Sequence, residues 1–360
     1  MRALCQPPGE PFAARAPASE ASAPMRVSVI VPAYNNAGEL AQCLSALLAA
    51  ADATAELIVV DDASDEDLSR VAACFAAQSL RLTRNAGPAA ARNYGAQHAR
   101  GDILFFVDAD VVVASDAIRR IRTIFDCRPE IAAVFGSYDA NPAAPELVSQ
   151  YRNLLHHFVH QQGKPEAATF WAGCGAIRRS AFEDVGGFDE RRFPRPSIED
   201  IELGYRLRAA GYHIYLDKSL QGTHLKRWTL LSVLRTDVFH RAIPWSRLII
   251  ESGQVPDDLN VQSRQRLSVA LTGIGGTLLL AAPLRPELLI PALGCWGGMV
   301  FLNRDLYAFF LRARGPLFAL ACMPLQLLYY MCCGLSYQYV WAHTAVSSVI
   351  ARRRRAHGLS

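Results

Sequence analysis

Apolar and polar positions follow two alternating periods along the first 230 or so residues. Short apolar runs, of which "VSVIVP" from Val27 and "ILFFV" at 103–107 are the clearest, have the length of buried strands. Between them, apolar residues recur at three- and four-residue spacing, as in "ELAQCLSALLAA", which predicts helices. Strands that alternate with helices favour right-handed crossovers, so the pattern predicts an α/β domain with a mainly parallel sheet.

Acidic residues follow two of the predicted strands where each strand ends. Asp61 and Asp62 come after "ELIVV", and Asp108 and Asp110 come after "ILFFV". Ligands of parallel sheets bind beyond the carboxyl ends of the strands, so we expect these residues in one crevice. Residues two apart on a strand share a face, and two converging carboxylates suit Mg²⁺ or Mn²⁺. A solvated strand end or a helix cap is the competing interpretation of Asp108 and Asp110.

The pattern changes after about residue 230. Residues 229–262 mix arginine with large apolar side chains, as an interfacial amphipathic segment does. Three strongly apolar runs follow, at 267–284, at 288–302 and from 316 to about 350. As helices the first two are about 27 Å and about 22 Å long, against a hydrocarbon core of about 30 Å. They favour a helical hairpin turned at 285–287, with the third run crossing once or folding back.

Basic residues flank these apolar runs. They precede the first run, fill the loop at 303–315 and form the tail at 351–355, which favours the cytoplasmic side for all three and for the attached domain. A soluble protein whose apolar C-terminal helices pack on the domain is the alternative. The predicted division is a disordered lead-in at 1–25, an α/β domain at 26–228, an interfacial segment at 229–262 and a hydrophobic helical membrane region with a basic tail at 263–360.

Composition excludes one class of partner and suggests a compartment. The net charge is +4, and the basic residues are not interleaved with aromatic ones, so we expect no nucleic acid. The nine cysteines have no CxxC pair and no metal-finger spacing, which is typical of reduced cysteines in an intracellular chain.

Five segments together resemble a known family. The order and spacing of "VSVIVPAYNN", "IVVDDASDE", "RNAGPAAARNYGAQHARGDILFFVDAD", "VGGFDE" and "EDIELGYRLRAAGY" are similar to those of the family 2 glycosyltransferases, which have the GT-A fold. The resemblance covers about residues 26–228. It implies an inverting transferase that moves a sugar from a nucleotide diphosphate donor, such as a UDP- or GDP-sugar, with Mn²⁺ or Mg²⁺.

The resemblance also implies roles for single residues on the donor side. The competing interpretation of Arg84 and Arg92 is that they are surface arginines, and that of Gly173 is a simple turn. The implied roles are the nucleoside border for Pro32 and Tyr34, a hydrogen bond to the base for Asp61 or Asp62, base or diphosphate contact for Arg84 and Arg92, ribose or metal for Asp108, metal for Asp110, and close backbone approach to the donor sugar for Gly173.

An acidic pair matches the residues that activate the acceptor in the family. Glu199 and Asp200 correspond to this pair, and Asp200 would take the proton of the acceptor hydroxyl as general base. A competing interpretation exists, because Ser197 to Asp200 is itself a capping-box pattern. Both interpretations hold only if the Asp200 carboxylate turns towards the crevice.

The segment "HLKRW" stands where membrane-embedded processive synthases carry QxxRW. The resemblance implies that His224 joins the metal, that Arg227 neutralises the leaving diphosphate and that Trp228 borders the acceptor. Histidine in place of glutamine weakens the case for a processive enzyme. A strand-end histidine packed on tryptophan is the alternative.

Three functions remain open from the sequence. The first is a glycosyltransferase of the inner (cytoplasmic) membrane, with its catalytic domain facing the cytoplasm, that acts on a lipid-linked or cell-envelope acceptor. The second is a polysaccharide synthase that extrudes its product. The third is a catalytically silent nucleotide-sugar-binding scaffold, which the presence of all the expected acids disfavours.

Overall fold

A computed structural model describes residues 25–52 and 54–356, with side chains as far as residue 347. The predicted lead-in lies outside the described residues except for Met25. The chain forms two compact units. The first unit is the chain up to Ala143 together with Gly163–Lys226, and the second unit is Ala144–Gln162 together with the chain from Arg227 onward.

An eight-stranded sheet forms the centre of the first unit. The strands are β1 (Val27–Ala33), β2 (Ala55–Asp61), β3 (Gln78–Arg81), β4 (Ile103–Val107), β5 (Val111–Val113), β6 (Ile131–Tyr138), β7 (Cys174–Arg178) and β8 (His213–His224). Their order in the sheet is β3-β2-β1-β4-β7-β6-β8-β5. The neighbours from β3 to β4 are parallel, as predicted, whereas β7 and β5 run antiparallel to the strands beside them. The sheet is therefore mixed.

Helices flank this sheet. Those of the first unit are α1 (Ala37–Ala50), α2 (Leu68–Cys74), α3 (Pro88–His98), α4 (Ala117–Cys127), α6 (Arg179–Asp184) and α7 (Glu199–Ala209), while α5 (Leu147–Gln162) belongs to the second unit. Strand β4 is buried at all five positions, as its apolar run predicts. Helix α4 turns Ile118, Ile121 and Phe125 into the core. The sheet thus supplies a rigid base for the loops at its edge.

Helix α3 approaches β1 and β2 closely because residue 95 is glycine. A Cβ atom at Gly95 would lie 2.5 Å from Cγ2 of Ile30 and 3.0 Å from Cγ2 of Val60. Both neighbours are β-branched side chains in the core, so neither can move away cheaply. The glycine therefore fixes the height of α3, and with it the position of Arg92, above the sheet.

The loops that follow β1 and β2 are joined by hydrogen bonds. The backbone N–H of Asn35 donates to Oγ of Ser64 at 2.9 Å, and the N–H of Asp65 donates to Oδ1 of Asn35 at 2.8 Å. The N–H of Asp62 donates to the carbonyl of Ala33 at 2.9 Å. The carboxyl ends of these two strands therefore form one connected edge.

The second unit consists of helices. They are α5, α8 (Leu230–Arg235), a π-helix at Thr236–Ala242, α9 (Ile243–Ser252), α10 (Ser263–Ala281), α11 (Leu289–Leu302), α12 (Arg304–Arg314) and α13 (Pro316–Ala356), with short 3₁₀ turns at Leu259–Val261 and Pro286–Leu288. Helices α10 and α11 form the predicted hairpin, in which Gly275 makes room for the Trp296 ring. Asn303 donates to Oγ of Ser268 at 2.9 Å and accepts from the Tyr330 hydroxyl at 2.8 Å.

One of the described helical segments, Pro316–Ser347, is long and apolar enough to cross a membrane. Helix α11 has 14 residues and is therefore about 21 Å long, which is short of a hydrocarbon core of about 30 Å. This part of α13 matches the third predicted run. Length and composition are the basis of this assignment.

Replacing Gly95 by alanine tests the close contact of α3 with the sheet. We expect Gly95→Ala to destabilise the protein by about 1–3 kcal/mol, because the new methyl group overlaps Ile30. The measurement is the midpoint of thermal unfolding of the full chain.

The matched control is Gly38→Ala in α1, where no atom lies within 4 Å of the new Cβ position. Alanine is a better helix former than glycine by about 0.5–1 kcal/mol, so this variant should be as stable as the wild type or slightly more so. Equal midpoints for the two variants would contradict the proposed contact.

Candidate active site

The side chain of Arg92 lies at the centre of the acidic residues of the first unit. Its Nη2 donates to Oδ1 of Asp108 at 2.7 Å, and its Nη1 donates to Oε1 of Glu199 at 2.9 Å. Arg92 is 4% exposed, so both ion pairs are shielded from water on the arginine side. Residues of α3, of the turn after β4 and of the start of α7 therefore meet at one guanidinium.

Asp200 follows Glu199 and faces the backbone of the Gly-rich turn before β7. Its Oδ2 accepts a hydrogen bond from the N–H of Ala172 at 3.1 Å. The N–H of Ser197 donates to Oε2 of Glu199 at 2.9 Å, whereas the predicted capping box would direct it to Asp200. Asp200 is partly exposed. Its Oδ1 accepts from the N–H of Ile201 at 2.8 Å, so the carboxylate joins the first turn of α7 to the Gly-rich turn.

The surroundings of Asp200 raise the pKa of its carboxyl group above the value in water. Burial raises the pKa of Asp200 to about 6, and the neighbouring charge of Glu199 acts in the same direction. The positive charge of Arg92 and the hydrogen bond from Ala172 oppose this rise. A carboxyl group with this pKa can accept and release a proton near neutral pH.

Asp108 and Asp110 lie in a turn, because β4 ends at Val107. Their convergence along a continuous strand, which the spacing predicts, is therefore not observed. Asp108 is bonded to Arg92, whereas Oδ2 of Asp110 lies 3.4 Å from Nε2 of His224 at the end of β8. The two carboxylates thus have different partners.

An aromatic stack supports His224. Its ring stacks on the Tyr138 ring, with 4.3 Å between the ring centres and 9° between the planes. The rings of Tyr138 and Trp171 pack edge to face, with 4.8 Å between their centres. Burial would raise the pKa of Asp110, but the hydrogen bond and charge of His224, together with the charge of Lys226, lower it overall. Asp110 is therefore an anion at neutral pH. Tyr138 and Trp171 were not predicted as site residues. For Trp171, an aromatic residue within the glycine-rich turn "FWAGCG" was a usable signal.

The donor set for a divalent metal is partial. Among the described residues, no group of three or more His, Cys, Asp and Glu side chains is arranged around one point that could hold a metal ion. Asp110 and His224 supply an oxygen and a nitrogen donor, and both suit Mn²⁺. One oxygen of Asp108 is engaged by Arg92. The fit thus rests on two adjacent donors.

Asp61 and Asp62 are buried and stabilise the loops at the end of β2. Oδ1 of Asp62 accepts from the N–H of Ala86 at 2.7 Å, and Oδ2 accepts from the N–H of Gly87 at 2.8 Å. Asp61 pairs with Arg81 at 2.6 Å, a partner that no motif indicated. Burial nevertheless raises the pKa of Asp62 above its usual range.

The other predicted donor-side residues border the same strand ends. Pro32 is partly buried at the end of β1, and Tyr34, which follows it in the loop, is 47% exposed. Arg84 is exposed and makes no hydrogen bond or ion pair with the described part of the chain. Gly173 accepts a hydrogen bond from the N–H of Asp108 through its carbonyl at 3.2 Å.

The position of the Trp171 ring requires glycine at residue 173. A Cβ atom there would lie 2.6 Å from the indole ring of Trp171. The glycine therefore allows the Trp171 ring to lie against the backbone of the turn.

Arg227 and Trp228 belong to the second unit. Arg227 forms an ion pair with Glu146. The N–H of Trp228 donates to Oγ of Ser149 at 2.8 Å, and the Trp228 side chain is buried. Both residues are thus engaged by α5 or by the residues just before it.

Comparison with known proteins finds a family match for the part of the chain that runs from β1 to α6. Residues 28–186 match the family model described as glycosyl transferase family 2. This part of the chain is similar to family 2 glycosyltransferases. The matched segment includes Asp61, Asp62, Arg92, Asp108 and Asp110.

Curated relatives agree with this assignment. A pre-mycofactocin glycosyltransferase of Mycobacterium tuberculosis is 30% identical over 223 residues, which are 59% of this chain and 46% of that protein. The uncharacterized glycosyltransferase YfnE of Bacillus subtilis is 36% identical over 254 residues, which are 56% of this chain and 64% of that protein. The chain thus spans about half to two thirds of the length of these relatives.

A solved structure supports the fold. The mannosyltransferase PcManGT from Pyrobaculum calidifontis, determined in complex with GDP-Man and Mn²⁺, has a TM-score of 0.56 and 19% identity, with 88% of each chain covered. The predicted GT-A architecture, a sheet with flanking helices followed by a helical region, is confirmed.

Proposed function

We propose that this chain transfers a sugar from a nucleotide diphosphate donor to an acceptor hydroxyl with inversion at the anomeric carbon. The observation that carries the proposal is the partly accessible carboxylate of Asp200, whose pKa is raised to about 6 beside the ion pairs of Arg92. Inverting displacement needs one base on the acceptor side, and a base whose pKa lies near the working pH is effective.

Asp200 has the properties of that base. The hydrogen bonds from the N–H groups of Ala172 and Ile201 orient its carboxylate, and the partly exposed residue can receive the proton of an acceptor hydroxyl. Glu199 is bonded to Arg92 and is therefore a supporting residue. With the acceptor oxygen deprotonated on one face of the sugar, the diphosphate leaves from the opposite face, and the centre inverts.

A divalent metal would be held by Asp110 and His224, with Asp108 close by in the same turn. When bound, Mn²⁺ or Mg²⁺ neutralises the charge of the leaving diphosphate. The adjacency of the Asp110 carboxylate and the His224 ring supports this assignment. The mannosyltransferase of similar fold was solved with Mn²⁺ and GDP-Man, which favours the same classes of cofactor and donor here.

The remaining donor contacts follow from position. The exposed Tyr34 ring and Pro32 are available to a nucleoside, and the exposed guanidinium of Arg84 to a base or phosphate. Asp61, Asp62 and Gly173 form the loops around that space, and a base hydrogen bond at Asp61 or Asp62 is part of the proposal. Arg227 is proposed for the leaving diphosphate and Trp228 for the acceptor.

The second unit suggests where the acceptor resides. Its apolar segment Pro316–Ser347 is compatible with a membrane anchor, and the flanking basic residues favour a cytoplasmic active site. We therefore propose a lipid-linked or cell-envelope acceptor at the cytoplasmic membrane. A polysaccharide synthase that extrudes its product is disfavoured, because one segment of sufficient length among the described helices does not frame a pore.

A donor panel tests the activity itself. Membranes that contain the full chain are incubated with UDP- or GDP-sugars, with Mn²⁺, and with or without lipid extract. We expect release of nucleoside diphosphate from one donor, and faster release when the extract supplies an acceptor. A chain that binds nucleotide sugar but releases no diphosphate from any donor is a silent scaffold instead.

The base assignment predicts a specific pH dependence. Asp200 must be deprotonated to act, and its pKa is about 6, so kcat/KM of the wild type should fall about tenfold per pH unit below pH 6 and level off above it. Asp200→Asn should lower kcat by about 10²–10⁴-fold and remove this dependence, with donor affinity nearly unchanged. The measurements are initial rates across pH and a donor-binding titration.

A matched control for this variant is Asp184→Asn. Asp184 is an exposed carboxylate at the end of α6 that accepts from the Tyr212 hydroxyl at 3.1 Å, so its loss should leave the pH profile intact. If donor binding falls as much as turnover in Asp200→Asn, Asp200 is not the base.

The metal assignment predicts loss of metal-dependent donor binding. Asp110→Ala should weaken donor binding in Mn²⁺ by at least about tenfold and leave little difference between Mn²⁺ and EDTA, because a charged ligand is lost. Asp116→Ala, which removes a partly exposed carboxylate at the start of α4, serves as the control. Unchanged metal-dependent affinity in Asp110→Ala would refute the role.

A further inference from the structure

Arg92 has both terminal nitrogens of its guanidinium engaged by carboxylates on two different elements. Nη1 bonds Glu199 at the start of α7, and Nη2 bonds Asp108 in the turn after β4. The guanidinium carbon also lies 5.4 Å from the centre of the Phe188 ring. Both terminal nitrogens of Arg92 therefore have a carboxylate partner, Nε is buried without a hydrogen-bond partner among the described residues, and an aromatic ring lies over the group.

This geometry is unlike that of an arginine that awaits a phosphate. A diphosphate that bound both terminal nitrogens would have to displace Asp108 and Glu199, and the Glu199 side chain, which is 6% exposed, would be left buried without its partner. Breaking a buried ion pair in this way is strongly unfavourable. Burial would lower the pKa of Arg92, but the carboxylates of Asp108 and Glu199 outweigh burial and raise it, so the guanidinium stays charged.

The contact with Glu199 fixes the first turn of α7. The second oxygen of Glu199 accepts from the N–H of Ser197 at 2.9 Å, so this one carboxylate joins Arg92 to the backbone just before the helix. Further along, Gly204 lets α7 approach the backbone before the Gly-rich turn, since a Cβ atom there would lie 2.4 Å from the nitrogen of Phe170. Asp200 lies between these two contacts and bonds Ala172 of that turn.

We propose that Arg92 is a positioning residue that couples Asp108, on the donor side, to the start of the helix that carries Asp200. Through Glu199 it sets the direction of the Asp200 carboxylate, and it does not bind the donor diphosphate. The inference rests on the proposed function insofar as Asp200 is the base. It replaces the base or diphosphate contact that the family resemblance implies for Arg92.

The test compares Arg92→Gln and Arg92→Lys in the full chain. For Arg92→Gln we expect kcat to fall by about 100-fold or more, since a small misplacement of a reacting group costs about this much. Donor KM and the Kd of the nucleoside diphosphate should stay within about threefold of the wild type. Arg92→Lys should recover part of kcat, because an ammonium group can pair with one of the two carboxylates.

A double-mutant cycle with Glu199→Gln isolates the coupling. If Arg92 acts through Glu199, kcat of the double variant should be no lower than that of the more severely impaired single variant, because the second change removes an interaction that is already broken. Additive losses would show that the two residues act separately and would overturn the proposal.

Arg120→Gln is the matched control for loss of a buried ion pair. Arg120 of α4 pairs with the buried Asp217 at 2.6 Å in the same unit and lies 4.0 Å from Asp116, and neither acid is a predicted site residue. We expect it to lower the unfolding temperature and to leave kcat unchanged. An equal loss of kcat in Arg120→Gln would assign the effect of Arg92 to folding alone.

The outcomes also separate this inference from the proposed function. A wild type that releases no diphosphate from any donor refutes the function before any variant is compared. With an active wild type, a rise of tenfold or more in donor KM and diphosphate Kd for either Arg92 variant, with kcat retained, makes Arg92 a diphosphate ligand. If Arg92→Gln does not fold, Arg92→Lys decides between the same two results.

Discussion

A buried positive charge at Arg92 is the constraint on which the acidic cluster of Asp108, Glu199 and Asp200 depends. Carboxylates beside a hydrophobic sheet are unfavourable unless each has a compensating partner. One guanidinium compensates Asp108 and Glu199 directly and opposes the rise in the pKa of Asp200. Because the two bonded acids come from a turn and from a helix, neither element can move away without leaving a charge unpaired. The positions of Asp108 and Glu199 are therefore determined by electrostatics as much as by packing.

Burial alone would raise the pKa of both Asp110 and Asp200, yet the two pKa values are shifted in opposite directions. At Asp110 the hydrogen bond and charge of His224 outweigh burial and lower the pKa. At Asp200 the charge of Glu199 adds to burial and raises it to about 6. Such a separation assigns different tasks to chemically identical groups. A lowered pKa at Asp110 would suit the binding of a cation, and a pKa of about 6 at Asp200 would suit proton transfer.

The strands that frame the crevice could be predicted because their apolar runs are continuous, and β4 was predicted to the residue at 103–107. The partners of the acids could not be predicted in this way. Arg92 and Glu199 are 107 residues apart, and no local pattern encodes their contact. Strand spacing predicted that Asp108 and Asp110 converge, but both lie beyond the end of β4 and have different partners. Local rules also favoured a capping box from Ser197 to Asp200, whereas the N–H of Ser197 donates to Glu199.

Helix α5 lies between β6 and β7 in the sequence but belongs to the second unit. The sequence pattern includes this helix in the predicted domain at 26–228, but it packs with the C-terminal helices. Tyr151 donates to Gln326 at 2.8 Å, and Arg152 pairs with the buried Asp237 at 2.6 Å. A truncation after 228 would leave this arginine without its carboxylate and its apolar neighbours exposed to water. The second unit is therefore required for the stability of a segment inserted between β6 and β7, whether or not a membrane is present.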